Sequence, residues 1–304
     1  MTLHVPTPDG RTLEVLLAGP EDGFPLFFHH GTPQAAVPQP LLETAAAERG
    51  LRVVSYSRPG YGASSPRSDG ATTATVAEDA TLDVTAILDH LGLDRFVSLG
   101  WSGGGPRSLA CAAMLPDRCL AAVCGVGLVP VEEYDGDIRD GMGEENVAEY
   151  TAAFQGADTL AALLEDFAPD VFSATAEQVA DSLGSLIPPV DRAALTGELA
   201  ETMAAAFRRA GEQGIVGWLH DDLTHTRPWG FSVGDITVPV AVWQGTEDRM
   251  VPFAHARWLA DHVPGARAHL VEGEGHISLL AQMPRILDDL LGLAGLSRGV
   301  RAGG

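Results

Sequence analysis

The chain has 304 residues, 45% of them hydrophobic, and carries a formal charge of −22 with arginine as its sole strongly basic residue type. That length allows one large domain with an insertion or two ordinary ones, and the apolar share suits a sizeable core. The acidic balance argues against nucleic acid and anionic membrane as partners, and the missing lysine excludes a Walker phosphate loop, a pyridoxal Schiff base and a Ser–Lys dyad.

The opening stretch "MTLHVPTPDG" shows neither the basic region nor the apolar run of a signal peptide. No apolar run approaches the roughly 18 residues needed to span a bilayer, so a cytoplasmic location is expected. Along the chain, "TLEVLLAG" (12–19), "PLFFHHG" (25–31), "LRVVSYS" (51–57) and "RFVSLG" (95–100) read as strands. Between them "PLLETAAAERG" and "TVAEDATLDVTAILDHLG" read as helices. In the second, Val76, Ala80, Val84, Ile87 and Leu88 share one face and Gly92 is the stop. "SLACAAML" continues as a helix and "CLAAVCGVGLV" as a fully buried strand. The alternation predicts right-handed crossovers and a mostly parallel, doubly wound sheet covered on both faces.

The pattern resumes with strand "VPVAVWQG" (238–245), helix "FAHARWLADHV", strand "RAHLVEG" (267–273) and helix "ISLLAQMPRILDDLLGL". The roughly 105 residues of 131–235 are too many for a loop in a compact domain. They read as a helical subdomain inserted into a core formed by 1–130 and 236–304. Its amphipathic faces are Leu160, Leu163, Leu164 and Phe167; Val179, Leu183, Leu186 and Ile187; and Leu195, Leu199, Met203 and Phe207, with Asp191 placed to cap the third. The terminal "RGVRAGG" reads as a frayed tail.

Cys111, Cys119 and Cys124 lack CxxC spacing and lie in apolar surroundings, which predicts buried reduced thiols in a reducing compartment. The stretch "LGWSGGGP" (99–106) sets Ser102 between Gly100 and Gly104 after an apolar strand. A phosphate loop fails there for want of lysine and of G-x-G-x-x-G spacing. A nucleophile on a strained strand-to-helix turn and a plain flexible turn both remain on this motif alone.

Four further stretches, in matching chain order, decide between these two. "HHGTP" (29–33) follows a strand, "SRPGYGASSP" (57–66) follows the next, "GTEDRMVP" (245–252) carries Asp248, and "GEGHISLL" (273–280) carries His276. With these and G-x-S-x-G the chain resembles the α/β-hydrolase family, serine-nucleophile (esterase-like) branch, everywhere except residues 131–235. The resemblance implies the α/β-hydrolase fold with a helical cap and a Ser102–His276–Asp248 triad. It also implies an oxyanion hole from the backbone N–H groups of Thr32 and Gly103, and no metal or organic cofactor.

Other residues have plainer readings. Glu247 is a solvated neighbour of Asp248, His29 and His30 support the oxyanion loop, His269 lies in a strand, and His255 and His262 lie on a helix. His220 and His225 flank "DDLT" and read as a solvated helix end rather than a metal site. Trp101, Trp218 and Trp229 are candidate pocket walls, with core packing the competing reading for Trp229 and Phe231.

The expected function is hydrolysis of a carboxylic ester with a small to medium acyl group. The expected partner is a small-molecule substrate, and the sequence does not choose between monomer and homodimer. The rivals are a C–C hydrolase of the diketone type, with Arg107 as the group reaching a substrate carboxylate, a lyase or cofactor-free oxygenase using the same residues, and a non-catalytic binding protein.

Overall fold

The computed structural model describes residues 1–69 and 73–301. These form one eight-stranded sheet: β1 (Thr2–Pro6), β2 (Thr12–Ala18), β3 (Phe24–His29), β4 (Leu51–Tyr56), β5 (Phe96–Trp101), β6 (Cys119–Gly125), β7 (Val240–Gly245) and β8 (Arg267–Val271). The order across the sheet is β1-β2-β4-β3-β5-β6-β7-β8. β1, β2 and β4 pair antiparallel in turn, and every later neighbour is parallel.

Helices α1 (Pro40–Ala47), α2 (Val76–Glu78), α3 (Thr85–Leu91) and α4 (Gly105–Met114) connect the first strands. Between β6 and β7 lie α5 (Glu144–Gln155), α6 (Ala157–Phe172), α7 (Val179–Ser182), α8 (Pro189–Ala194), α9 (Gly197–Ala210) and α10 (Val216–His225). α11 (Phe253–His262) and α12 (Met283–Leu293) follow. Because strand side chains alternate, β3 feeds two cores. Phe27 packs with Val76, Leu88 and Leu109, while Leu26 and Phe28 pack with Leu42 of α1 and Ile286 and Leu290 of α12. Truncating a fully buried anchor such as Ile286 to alanine should cost about 2–5 kcal/mol. A third core, with Leu160, Leu164, Ala200 and Phe207, lies among the helices between β6 and β7 and reaches Ile277.

The strands match the expected apolar runs to within a few residues, but β1 adds an edge strand that "MTLHVP" did not signal. Its burial pattern is mostly exposed, so no apolar run marks it. The helix expected over Val76–Gly92 ends at Gly92 (φ 64), but contains a π-helical stretch, Asp79–Val84, that carries buried Asp79 and Asp83. The second and third faces between β6 and β7 are broken, by a 3-10 turn at Gly184–Leu186 and by the gap between α8 and α9.

Asp191 does not cap the third face. It lies inside α8, and Thr196 occupies the N-cap position of α9. The tail is docked rather than frayed as far as Arg301. Gly299 N–H donates to the Arg49 carbonyl at 2.8 Å, and Arg301 forms a bridge with Gly23; residues 302–304 lie outside the described residues. Among the described residues, no helix is long and apolar enough to cross a membrane.

Candidate active site

Between the end of β5 and the start of α4 the chain makes one 3-10 turn, Ser102–Gly104. Ser102 has φ +56, a left-handed conformation that non-glycine residues adopt only under constraint. The constraint is close backbone packing. A Cβ on Gly100 would run into the Gly104 carbonyl, and a Cβ on Gly104 would run into the His29 carbonyl. Ser102 is therefore presented at the C-terminal edge of the parallel strands, with the N-terminus of α4 behind it.

Asp248 follows β7 and His276 follows β8. His276 Nδ1–H donates to Asp248 Oδ2 at 2.8 Å, and Asp248 Oδ2 also accepts from Gln244 Nε2 at 2.7 Å. Asp248 Oδ1 accepts from the N–H groups of Met250 and Val251 at 2.8 and 2.9 Å. These donors fix the carboxylate and leave His276 Nε2 as the lone-pair nitrogen. Burial alone would depress the His276 pKa, but the Asp248 charge and hydrogen bond, with a further contribution from Asp191, raise it above 6.5. Glu247 is exposed, as expected.

The His276 loop is held from α8. Asp191, fully buried, accepts from His276 N–H at 2.9 Å through Oδ2, and from the N–H groups of Ile277 and Ser278 at 2.9 and 2.8 Å through Oδ1. A Cβ on Gly275 would run into this carboxylate, so the loop can approach it only with glycine there.

The loop after β3 is held from α10. Asp221 Oδ2 accepts from the Thr32 hydroxyl at 2.6 Å, the Tyr61 hydroxyl at 3.0 Å and an Arg58 terminal nitrogen at 2.5 Å. Arg58 in turn donates to the carbonyls of His30 and Gly31 at 2.6 and 3.1 Å. Asp221 Oδ1 accepts from Arg58 Nε at 2.9 Å and from Arg107 at 3.0 Å. Burial would raise the Asp221 pKa, but the Arg58 and Arg107 charges outweigh it and hold the carboxyl well below the usual range.

The ion pairing continues inward. Arg107 meets Asp79 at 3.0 Å, Asp79 meets Arg67 at 2.6 Å, and Asp83 meets Arg11 at 2.6 Å. Arg107 also donates to the Gly103 carbonyl at 2.7 Å and to His225 Nε2. Arg107 is therefore spent behind the serine turn and does not reach a substrate carboxylate.

His220 and His225 are buried, not solvated at a helix end as expected. Burial, then the Arg107 charge, lowers the His225 pKa to about 3, so the ring is neutral and can accept from Arg107. The three cysteines are reduced and buried, and burial raises Cys111 and Cys124 to about 12. Among the described residues no group of three or more His, Cys, Asp or Glu is arranged to hold a metal ion.

Ser102, Gly103, Thr32 and His276 line one cavity of about 660 Å³, with Trp101 and Trp218 in its walls. Trp229 is not among its walls. It is fully buried in the core with Val76, Ala80 and Val233, against Phe231, because the segment between α10 and β7 docks on α2, where the Ala77 N–H donates to the Trp229 carbonyl at 2.9 Å.

The residues that sequence reasoning missed are Arg58, Glu149, Asp221 and Asp222, together with the contact made by Asp191. One signal was present. Trp218, Asp221, Asp222 and His225 fall at i, i+3, i+4 and i+7, so the face that buries the tryptophan must also bury the acids.

The chain matches the alpha/beta hydrolase fold family over residues 25–281. It is 31% identical to a non-heme chloroperoxidase of Streptomyces lividans, covering 94% of this chain and 97% of that one. It is 28% identical to a pimeloyl-[acyl-carrier protein] methyl ester esterase of Aromatoleum aromaticum, covering 76% and 83%. Among solved structures it is similar in fold to an esterase from Rhodococcus sp. ECU1013, with TM-score 0.67, 19% identity and coverage of 97% and 98%.

Proposed function

The chain belongs to the alpha/beta hydrolase fold family, and from that premise we propose that it is a serine hydrolase cleaving carboxylic esters of small to medium acyl groups. The observation that carries this reading is the left-handed Ser102 turn opening on the same cavity as a His276–Asp248 pair at 2.8 Å. Ser102 Oγ attacks the acyl carbonyl as His276 Nε2 takes its proton. The N–H groups of Thr32 and Gly103 receive the developing oxyanion. The alcohol leaves with the proton from His276, forming an acyl-enzyme. Water then attacks with His276 again as base, and the carboxylic acid is released as Ser102 is restored.

Residues 131–235 act in this reading as the cap over the cavity, whose volume suits a small acyl substrate. Arg107 lends no support to cleavage of a C–C bond in a carboxylate-bearing diketone, because it is engaged by Asp79, Asp221 and Gly103.

The test is hydrolysis of p-nitrophenyl acetate, butyrate and octanoate by wild type and Ser102→Ala, with a fluorophosphonate probe alongside. The expected result is turnover and probe labelling that both disappear in the variant. Turnover unchanged in Ser102→Ala would remove the serine from the mechanism. Labelling without turnover would keep the nucleophile and reject the ester.

A further inference from the structure

The walls of the catalytic cavity are unevenly charged. Among the described residues five that bear carboxyls line it, Glu145, Glu149, Asp170, Asp181 and Asp222, and no arginine does. Asp170 and Asp181 are exposed at the rim, Glu145 is half-buried, and Glu149 and Asp222 are buried within. A low-dielectric cleft lined by one sign of charge concentrates ligands of the other sign.

The inner pair is the unusual part. Glu149 projects from α5 and Asp222 from α10, and the two carboxyls face one another. Glu149 accepts one hydrogen bond, from Trp218 Nε1 at 2.9 Å. Asp222 is 1% exposed, and among the described residues no N–H group or hydroxyl donates to either of its oxygens, which face the Glu149 carboxyl. Around them stand Tyr150 on α5, Asp221 and neutral His225 on α10, and Arg107 on α4, whose charge is already shared by Asp79 and Asp221. Buried acids normally come with a cationic or donor partner, and this pair has one indole N–H between two carboxyls.

We propose that the cavity takes an ester bearing a protonated amine on its acyl or alcohol part, and that the Glu149–Asp222 pair is the subsite for the ammonium group. The proposal rests on reading Ser102 as an ester-cleaving nucleophile and adds the substrate class. In the free protein, burial and then the facing Glu149 carboxyl raise the Asp222 pKa well above its ordinary value. An incoming ammonium supplies two or three N–H donors to this pair and so offsets the charge repulsion between the two acids. At the rim Asp170 steers the cation inward, Asp181 being ion-paired with Arg192 at 2.7 Å, and the acidic walls disfavour carboxylate and phosphate substrates.

The test separates binding from turnover. Calorimetry on full-length Ser102→Ala compares hexylammonium with 1-hexanol and hexanoate, and wild type is assayed on p-nitrophenyl 6-aminohexanoate against p-nitrophenyl hexanoate. The proposal expects hexylammonium to bind about tenfold or more tightly than 1-hexanol, the scale of one charge-assisted hydrogen bond. That preference, and the ratio of kcat/KM for the amino ester over the neutral ester, should fall about tenfold in Glu149→Gln, in Asp222→Asn and in the double variant.

Both substitutions keep side-chain shape, and a thermal melt checks folding. If only one single variant folds, the loss of preference in that one suffices. Equal binding of amine and alcohol, or no binding of either, overturns the proposal. So does a preference that survives in Glu149→Gln and Asp222→Asn but disappears in Asp170→Asn with Asp181→Asn, which would place the cation at the rim. Amine binding without hydrolysis of either ester would keep the subsite and reject the ester reading.

Discussion

The turn that carries Ser102 and the loops that carry Thr32 and His276 meet at one cavity but are held in different ways. The serine turn is fixed by backbone against backbone. Gly100 and Gly104 approach carbonyls so closely that no side chain fits, and the elements involved, β3, β5 and α4, all lie within the first 114 residues. The other two loops are fixed by buried carboxylates sent down from helices between β6 and β7. Asp191 serves the His276 loop and Asp221 serves the loop after β3. Close packing is strained by any added side-chain atom, whereas a carboxylate clamp depends on charge and on every donor it satisfies.

The comparison can be broken most forcefully at Asp221. Asp221→Ala leaves Arg58 and Arg107 buried with one partner removed, and should lower stability by about 3–5 kcal/mol, read as a fall in the denaturation midpoint. Survival with an unchanged midpoint would mean the arginines find other acids and the clamp is dispensable. Gly104→Ala comes next. Its Cβ meets a backbone carbonyl that cannot swing away, so about 1–3 kcal/mol of stability should go, with loss of fluorophosphonate labelling in the protein that still folds.

Asp191→Asn sharpens the contrast. One oxygen can still accept, but an amide N–H now faces the His276 N–H, and unmaking that hydrogen bond should cost about 1–3 kcal/mol. Ester turnover should drop while the serine turn, tested by its φ in a crystal structure, stays in place. The smallest effect is in the pH profile. Protonated His276 cannot act as base, so kcat/KM should rise with pH through a midpoint above 6.5, the direction in which the Asp248 and Asp191 charges displace it. Neutralising Asp191 should move that midpoint down. A midpoint that does not move would confine Asp191 to holding the backbone.

These two ways of holding a loop also set what the sequence could disclose. Parallel strands buried on both faces are continuous apolar runs, and a nucleophile turn needs its glycines at fixed offsets, so both are visible locally. Asp248 and His276 are visible because each follows a strand in a recognisable turn. The clamps are not visible in this way. Thr32 and Asp221 are 189 residues apart, and His276 and Asp191 are 85 apart. An aspartate in a helix reads as solvent-facing or capping unless its burial is already known, which is why Asp191 reads as a cap and "HDDLTH" as a solvated end. Trp229 stays open between core and pocket wall in the sequence for the related reason that an indole fills either equally well.

The helices between β6 and β7 are tied by Asp191 and Asp221 to the loops they overlie. They are consequently a poor module for exchange. A chimera that moved this segment onto the sheet of another hydrolase would carry two buried aspartates with no arginine or backbone donors to meet them. It would also leave behind a sheet with Arg58 and Arg107 exposed to the vacancy. Successful swaps should therefore need Arg58, Arg107 and the Gly275–Ser278 loop to travel with the helices as a single inherited unit.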